Sequence, residues 1–157
     1  MTYITNLYTD PSCRRKLSTW SNGSGVNVEH IDGHFRYTNT GNNNWSISDW
    51  DSWRELMRLG RVVVIAYTAT DGVHVGLESG TWLASGTTHS GSTWQAWKIN
   101  VDKNRSVYCQ GSGSLLLEAM AVYEADEWPT VQQLLPPPVP VVRRRLDAPA
   151  VIGGERR

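Results

Sequence analysis

Phenylalanine occurs once in this chain of 157 residues, cysteine twice and methionine three times. Two cysteines, Cys13 and Cys109, are too few for a disulfide framework and read as free, buried thiols. No metal-ligand spacing surrounds them. Charge of one sign is also lacking, since 15 Lys and Arg face 15 Asp and Glu. No global field therefore favours nucleic acid or a membrane surface as partner. No stretch approaches the roughly 20 apolar residues of a membrane span. A basic region followed by an apolar run is missing at the N-terminus, so no secretion signal is read and a cytoplasmic origin is expected.

Catalytic signatures are missing too. There is no Gly-x-Ser-x-Gly elbow, no His-Glu-x-x-His and no phosphate loop. His30, His34, His74 and His89 are scattered, and strand-surface positions suit them better than a metal site. Most acids fall in turns (Asp32, Asp71, Asp102) or at a helix start (Asp49, Asp51). Only Glu78 and Glu118 lie in apolar surroundings, too little for a hydrolytic pair.

What the chain does hold is tryptophan: 8, with 6 Tyr and 14 Gly. Rings at that density, set among Ser, Thr, Asn and Gly, suit a β-rich domain in which most of them fill the core. Period-2 patterning agrees. "VNVEH" and "GHFRYT" flank Asp32-Gly33, a hairpin signal. "RVVVIAYTAT" (61 to 70) is too apolar for an edge strand, and Asp71-Gly72 is expected to turn it back into "VHVGLES". "STWQAWKINVD", "RSVYCQG" and "SLLLEAMAVYEA" supply further strands. This predicts an all-β, antiparallel sandwich.

One or two short helices interrupt it. "SISDWDSWRELMRLG" has Ser48 or Asp49 as cap, Gly60 as stop, and Trp50, Trp53, Leu56 and Met57 as a packing stripe. "DEWPTVQQLL" permits a second helical turn, with Pro129 near its start. Residues 1–135 thus form the sandwich, and residues 136–157 an extended Pro/Arg-rich arm. In the arm, Pro136, Pro137, Pro138, Val141 and Leu146 would anchor along a groove or sheet edge. Arg143, Arg144 and Arg145 suit an acidic protein surface better than phosphates, because no aromatic side chains interleave them.

Glycan binding needs an exposed ring beside amides or hydroxyls. Two segments, both expected as loops, offer that chemistry: "NTGNNNW", with Asn43, Asn44 and Trp45, and "GTWLASGTTHSGSTW", with Trp82 and Trp94. Burial of the three rings as loop anchors is the competing reading.

"NLYTDPSCRRKLSTW" resembles the N-terminal motif of galactose-binding-like jelly rolls, the carbohydrate-binding modules of cellulases and xylanases among them. In that motif an Asn-Leu strand leads to Asn-Pro-Ser or Asp-Pro-Ser and a buried Trp, which places Trp20 in the core. "RVVVIAYTAT" and "LLLEAMAVYEADEWPTVQQL" continue the likeness over residues 3 to 135. In that order they are similar to domains of minor tail proteins of phages of actinobacteria. The resemblance implies a jelly roll and a structural calcium near the first and last strands, which would fall on Glu118 and the backbone around Asp10. Cys13-Arg14-Arg15 stands where the motif has an acidic residue, and two cations there argue against the ion, so no cofactor is expected. The implied function is a non-enzymatic virion structural protein, a minor tail or capsid decoration protein present in many copies. Its partners would be other virion proteins, held through the arm, and host cell-surface polysaccharide. A free-standing carbohydrate-binding module is the alternative.

Overall fold

The computed structural model describes residues 4–23, 25–102 and 106–137. Its strands are β1 (Ser18–Ser21), β2 (Val26–Ile31), β3 (His34–Asn39), β4 (Asn44–Ser48), β5 (Val62–Ala69), β6 (His74–Leu77), β7 (Gly80–Thr87), β8 (Thr93–Ile99), β9 (Val107–Gln110) and β10 (Gly113–Tyr123). Helix α1 (Trp50–Leu56) follows β4, and a 3-10 turn (Ala125–Glu127) leads into α2 (Trp128–Leu134). The strands form two antiparallel sheets, a four-stranded one in the order β1-β4-β9-β6 and a six-stranded one in the order β2-β3-β10-β5-β8-β7. They pack face to face as an all-β sandwich.

The side-chain alternation of each strand decides what lies between the sheets. From the four-stranded sheet come Trp45, Ile47, Val107 and Cys109, all fully buried. Tyr37, Val63, Ile65, Trp97, Leu115 and Val122 meet them from the six-stranded sheet. The apolar run in β5 reflects its place between β10 and β8. It is buried on both faces, because Val62 and Val64 belong to a second cluster outside the six-stranded sheet with Trp94 and Ala96.

Several expectations hold in detail. Asp32 and Gly33 both take positive φ, as the tight β2–β3 turn requires. Asp49 caps α1, its Oδ1 accepting the Ser52 N–H at 3.3 Å. Pro129 sits in the first turn of α2, where its missing N–H is harmless.

Others need correction. Asp71-Gly72 does not close a hairpin: β5 lies in one sheet and β6 in the other, so this turn is a corner between layers. The stretch read as a loop around Trp82 is largely strand β7, with a bulge between Trp82 and Ala84 that turns Leu83 and Ala84 together onto the outer cluster. α1 ends at Leu56, four residues short of Gly60.

The N-terminal segment completes the six-stranded sheet. Beyond Leu116, β10 has no β3 partner, and residues 6–11 take that place. The Leu7 N–H donates to the Val122 carbonyl at 2.9 Å, and the Met120 N–H donates to the Pro11 carbonyl at 2.9 Å. Asn6 brackets the same strand, with Nδ2 on the Met120 carbonyl and Oδ1 on the Val122 N–H.

Candidate functional site: the two outer faces

Outside the six-stranded sheet, opposite residues of β10, β5 and β8 line up as Ala119–Ala66–Trp94 and Ala121–Val64–Ala96. Small side chains leave a trough there, a cleft of about 260 Å³ walled by Asn6 and Pro11 on one side and Leu135 and Pro136 on the other. α2 lies over the neighbouring apolar surface through Trp128 and Leu135. The chain then runs to the free edge of β7. The Trp94 indole N–H donates to the Pro136 carbonyl at 2.6 Å, and the Thr87 N–H donates to the Pro137 carbonyl at 3.4 Å. Gly86 makes this approach possible, since a Cβ there would stand 2.3 Å from the Pro136 oxygen.

At the polar end of this face, Glu118 sits in the β10 bulge and accepts hydrogen bonds from Thr68 Oγ1 (2.7 Å) and Ser92 Oγ (2.6 Å). Glu78 lies elsewhere, in the β6–β7 corner, and accepts from Ser106 Oγ at 3.0 Å. The two acids therefore do not face each other across a cleft. Asp10 is occupied too. Its carboxylate accepts the Arg14 and Arg15 N–H groups at 3.1 and 2.9 Å.

Arg15 also bonds to Asp49 and lies over the Tyr8 ring, 5.7 Å from its centroid. Tyr8 Oη donates to Asp49 Oδ2 at 2.9 Å. Burial pushes the Asp49 carboxyl up, but the hydrogen bonds of Tyr8, Arg15 and Ser52 and the guanidinium charge outweigh it and hold the carboxyl below its ordinary value. Arg15 Nε also lies 3.9 Å from Asp10 Oδ2. Among the described residues, no group of three or more His, Cys, Asp or Glu side chains could hold a metal.

The other outer face, that of the four-stranded sheet, is polar and left uncovered by the described residues. Ser46 lies opposite Trp20 on β1 and Tyr108 on β9, and Tyr108 lies opposite Gly76 on β6. Trp45 and Ile47, on either side of Ser46, point inward, so Trp20 and Tyr108 point outward together. Trp20 is 56% exposed and not the core residue expected, because its strand presents that side to water. Asn44, Gln110 and His74 form the adjacent row on one side. Ser18 and Ser48 form the row on the other, leading to a recess of about 340 Å³ lined by Lys16, Asp51 and the half-exposed Trp50. Trp50 therefore leaves the packing stripe, which keeps Trp53 and Met57 buried.

The five candidate glycan residues fall in different places. Trp45 is wholly enclosed, its indole N–H on the Gly111 carbonyl at 3.0 Å, and an enclosed ring offers no ligand a face. Trp94 is buried beneath the start of the arm. Asn43 braces its own loop, donating to Ser21 Oγ at 2.9 Å and accepting from Asn39. Only Asn44, beside the Trp20–Tyr108 row, and Trp82, exposed on the edge strand β7, remain accessible. In the arm, Pro136 and Pro137 are placed as described. Pro138, Val141, Arg143, Arg144, Arg145 and Leu146 lie outside the described residues.

Trp20 is expected in the core on the strength of the likeness, and Tyr108 carries no loop signal of its own. Alternation in "STWS" and "VYCQ" carries the signal, but it needs the strand register to become a site. No family model matches the chain, and neither the curated proteins nor the solved structures contain a match.

Proposed function

We propose that this chain is a non-enzymatic structural protein of a bacteriophage virion, in the tail or as a capsid decoration, that docks on the particle through its C-terminal arm. One observation carries the reading. The described part of the arm leaves the domain along an open sheet edge, held there by Trp94 and Thr87 through carbonyls alone. Prolines have no N–H to return, so this segment caps the end of β7 without continuing a ladder. The sequence that follows Pro137 is rich in Val, Pro and Arg, residue types suited to contact with a neighbouring subunit. The resemblance of this chain's motifs, taken in order, to those of minor tail proteins of actinobacterial phages points to the same class. So does the separation of Glu78 from Glu118, which leaves the carboxylate pair without a common cleft.

A chain ending at Pro137 tests this. It should fold with an unchanged thermal midpoint and fail to enter assembled particles. Incorporation at the level of the full chain overturns the proposal.

A further inference from the structure

The outer face of the four-stranded sheet has a composition that neither the fold nor the arm requires. We infer that it is a binding surface for a neutral saccharide, with Trp20 and Tyr108 as stacking platforms and Ser46 between them as a hydrogen-bonding group. This does not rest on where the arm docks.

Three observations carry it. First, the two rings share one cross-strand row and are attached two strand spacings apart, about 9–10 Å. A linear oligosaccharide can bridge that separation, laying C–H faces on the rings. Beside Tyr108 the row ends at Gly76, where a Cβ would meet nothing within 4 Å, so the space above that position is open. Second, the flanking positions carry hydroxyls and amides (Ser18, Ser48, Asn44, Gln110), groups that both donate to and accept from sugar hydroxyls. The Ser48 hydroxyl, in a residue 3% exposed that lines the recess, has no hydrogen-bond partner among the described residues. Third, the row Trp20–Ser46–Tyr108–Gly76 carries no charged side chain that would call for an ionic ligand. At the recess end the cations Arg15 and Lys16 are balanced by Asp49 and Asp51, so no net positive field awaits an anion. Nucleic acid is disfavoured for the same reason.

Affinity electrophoresis of the full chain through gels containing β-glucan, xylan, galactomannan or arabinogalactan tests the inference. At least one polysaccharide should retard the protein. Trp20→Ala and Tyr108→Ala should each weaken that retardation about tenfold, the effect of losing one stacked ring, with unchanged thermal midpoints. Gly76→Val adds bulk where space is open and should keep the fold while reducing retardation. Trp82→Ala should retain it. No retardation in any of the four gels, or retention by both the Trp20 and Tyr108 variants, overturns the inference. So does loss of particle incorporation by those variants with retardation intact, which would make the face a protein interface. The chain ending at Pro137 should still be retarded, which separates this result from that of the arm.

Discussion

The sandwich has two outer faces that solve opposite problems. The six-stranded sheet carries Val62, Val64, Trp94 and Ala96 on its outside and needs a cover, which α2 and Leu135–Pro136 provide. The four-stranded sheet carries Ser, Asn and Gln on its outside and needs none, yet it leaves a 56% exposed tryptophan in water. Single exposed apolar residues are ordinary on protein surfaces. Two rings in register, framed by hydroxyls and amides, are a different matter. The covered face spends its large side chains on holding the fold, whereas Trp20 holds nothing that its removal would loosen. Tryptophan thus packs under a cover on one face of the domain and stands in water on the other.

The contrast can be broken most severely from within. Trp45 lies between the sheets, so Trp45→Ala should cost about 3–5 kcal/mol in urea denaturation. A loss under 1 kcal/mol would mean that the ring is not enclosed. Next comes the covered face. Gly86→Ala drives a Cβ against the Pro136 oxygen and Trp94 Nε1, and should cost about 1–3 kcal/mol while exposing the Trp94 indole N–H to hydrogen exchange. Polysaccharide retardation should be unchanged in that variant. If it falls, the two faces are not independent.

A smaller effect comes from the thiols in the core. Burial, aided by the nearby Asp10 charge and opposed by Arg15, pushes Cys13 from 9.0 up to about 12, and burial alone pushes Cys109 to about 12. A value raised in the folded state favours the protonated form. The associated stability is therefore complete below pH 9 and is lost as pH rises toward 12. The thermal midpoint should be insensitive to these groups up to about pH 9 and fall beyond it, with thiol labelling tracking unfolding. Labelling of the folded chain at pH 8 would show that the thiols are accessible. Smallest of all is the metal effect. With Asp10 engaged by the Arg14 and Arg15 N–H groups and Glu118 by two hydroxyls, EDTA should leave the thermal midpoint where it was. A calcium-dependent rise would revive the metal reading of Glu118.

What could be read without coordinates was local. Asp32-Gly33 makes its turn by its own backbone preferences, Asp49 caps the helix that begins at the next residue, and β5 shows its two-sided burial in an unbroken apolar run. What could not be read depends on partners distant in sequence. Asp71-Gly72 makes a good turn whether the strand after it stays in the same sheet or leaves for the other, and only the pairing of β6 with β9 decides. The same holds for the site. Trp45 and Trp20 both stand next to serines in short strands, and nothing local separates the ring that points inward from the ring that points outward. Composition marked this as a protein with rings to spare, but register decided which ones.

The pairing of residue 7 with residue 122 also sets an order in time. The slot beside β10 cannot fill until β10 exists, so residues 6–11 must wait for a strand that follows them by more than a hundred residues. Closure of the six-stranded sheet is then a late event with a long loop to close, and the domain belongs among slow, topology-limited folders. Until that moment the half-built sheet presents β10's neighbours as open edges. The greatest aggregation hazard then lies in chains released only just short of Tyr123.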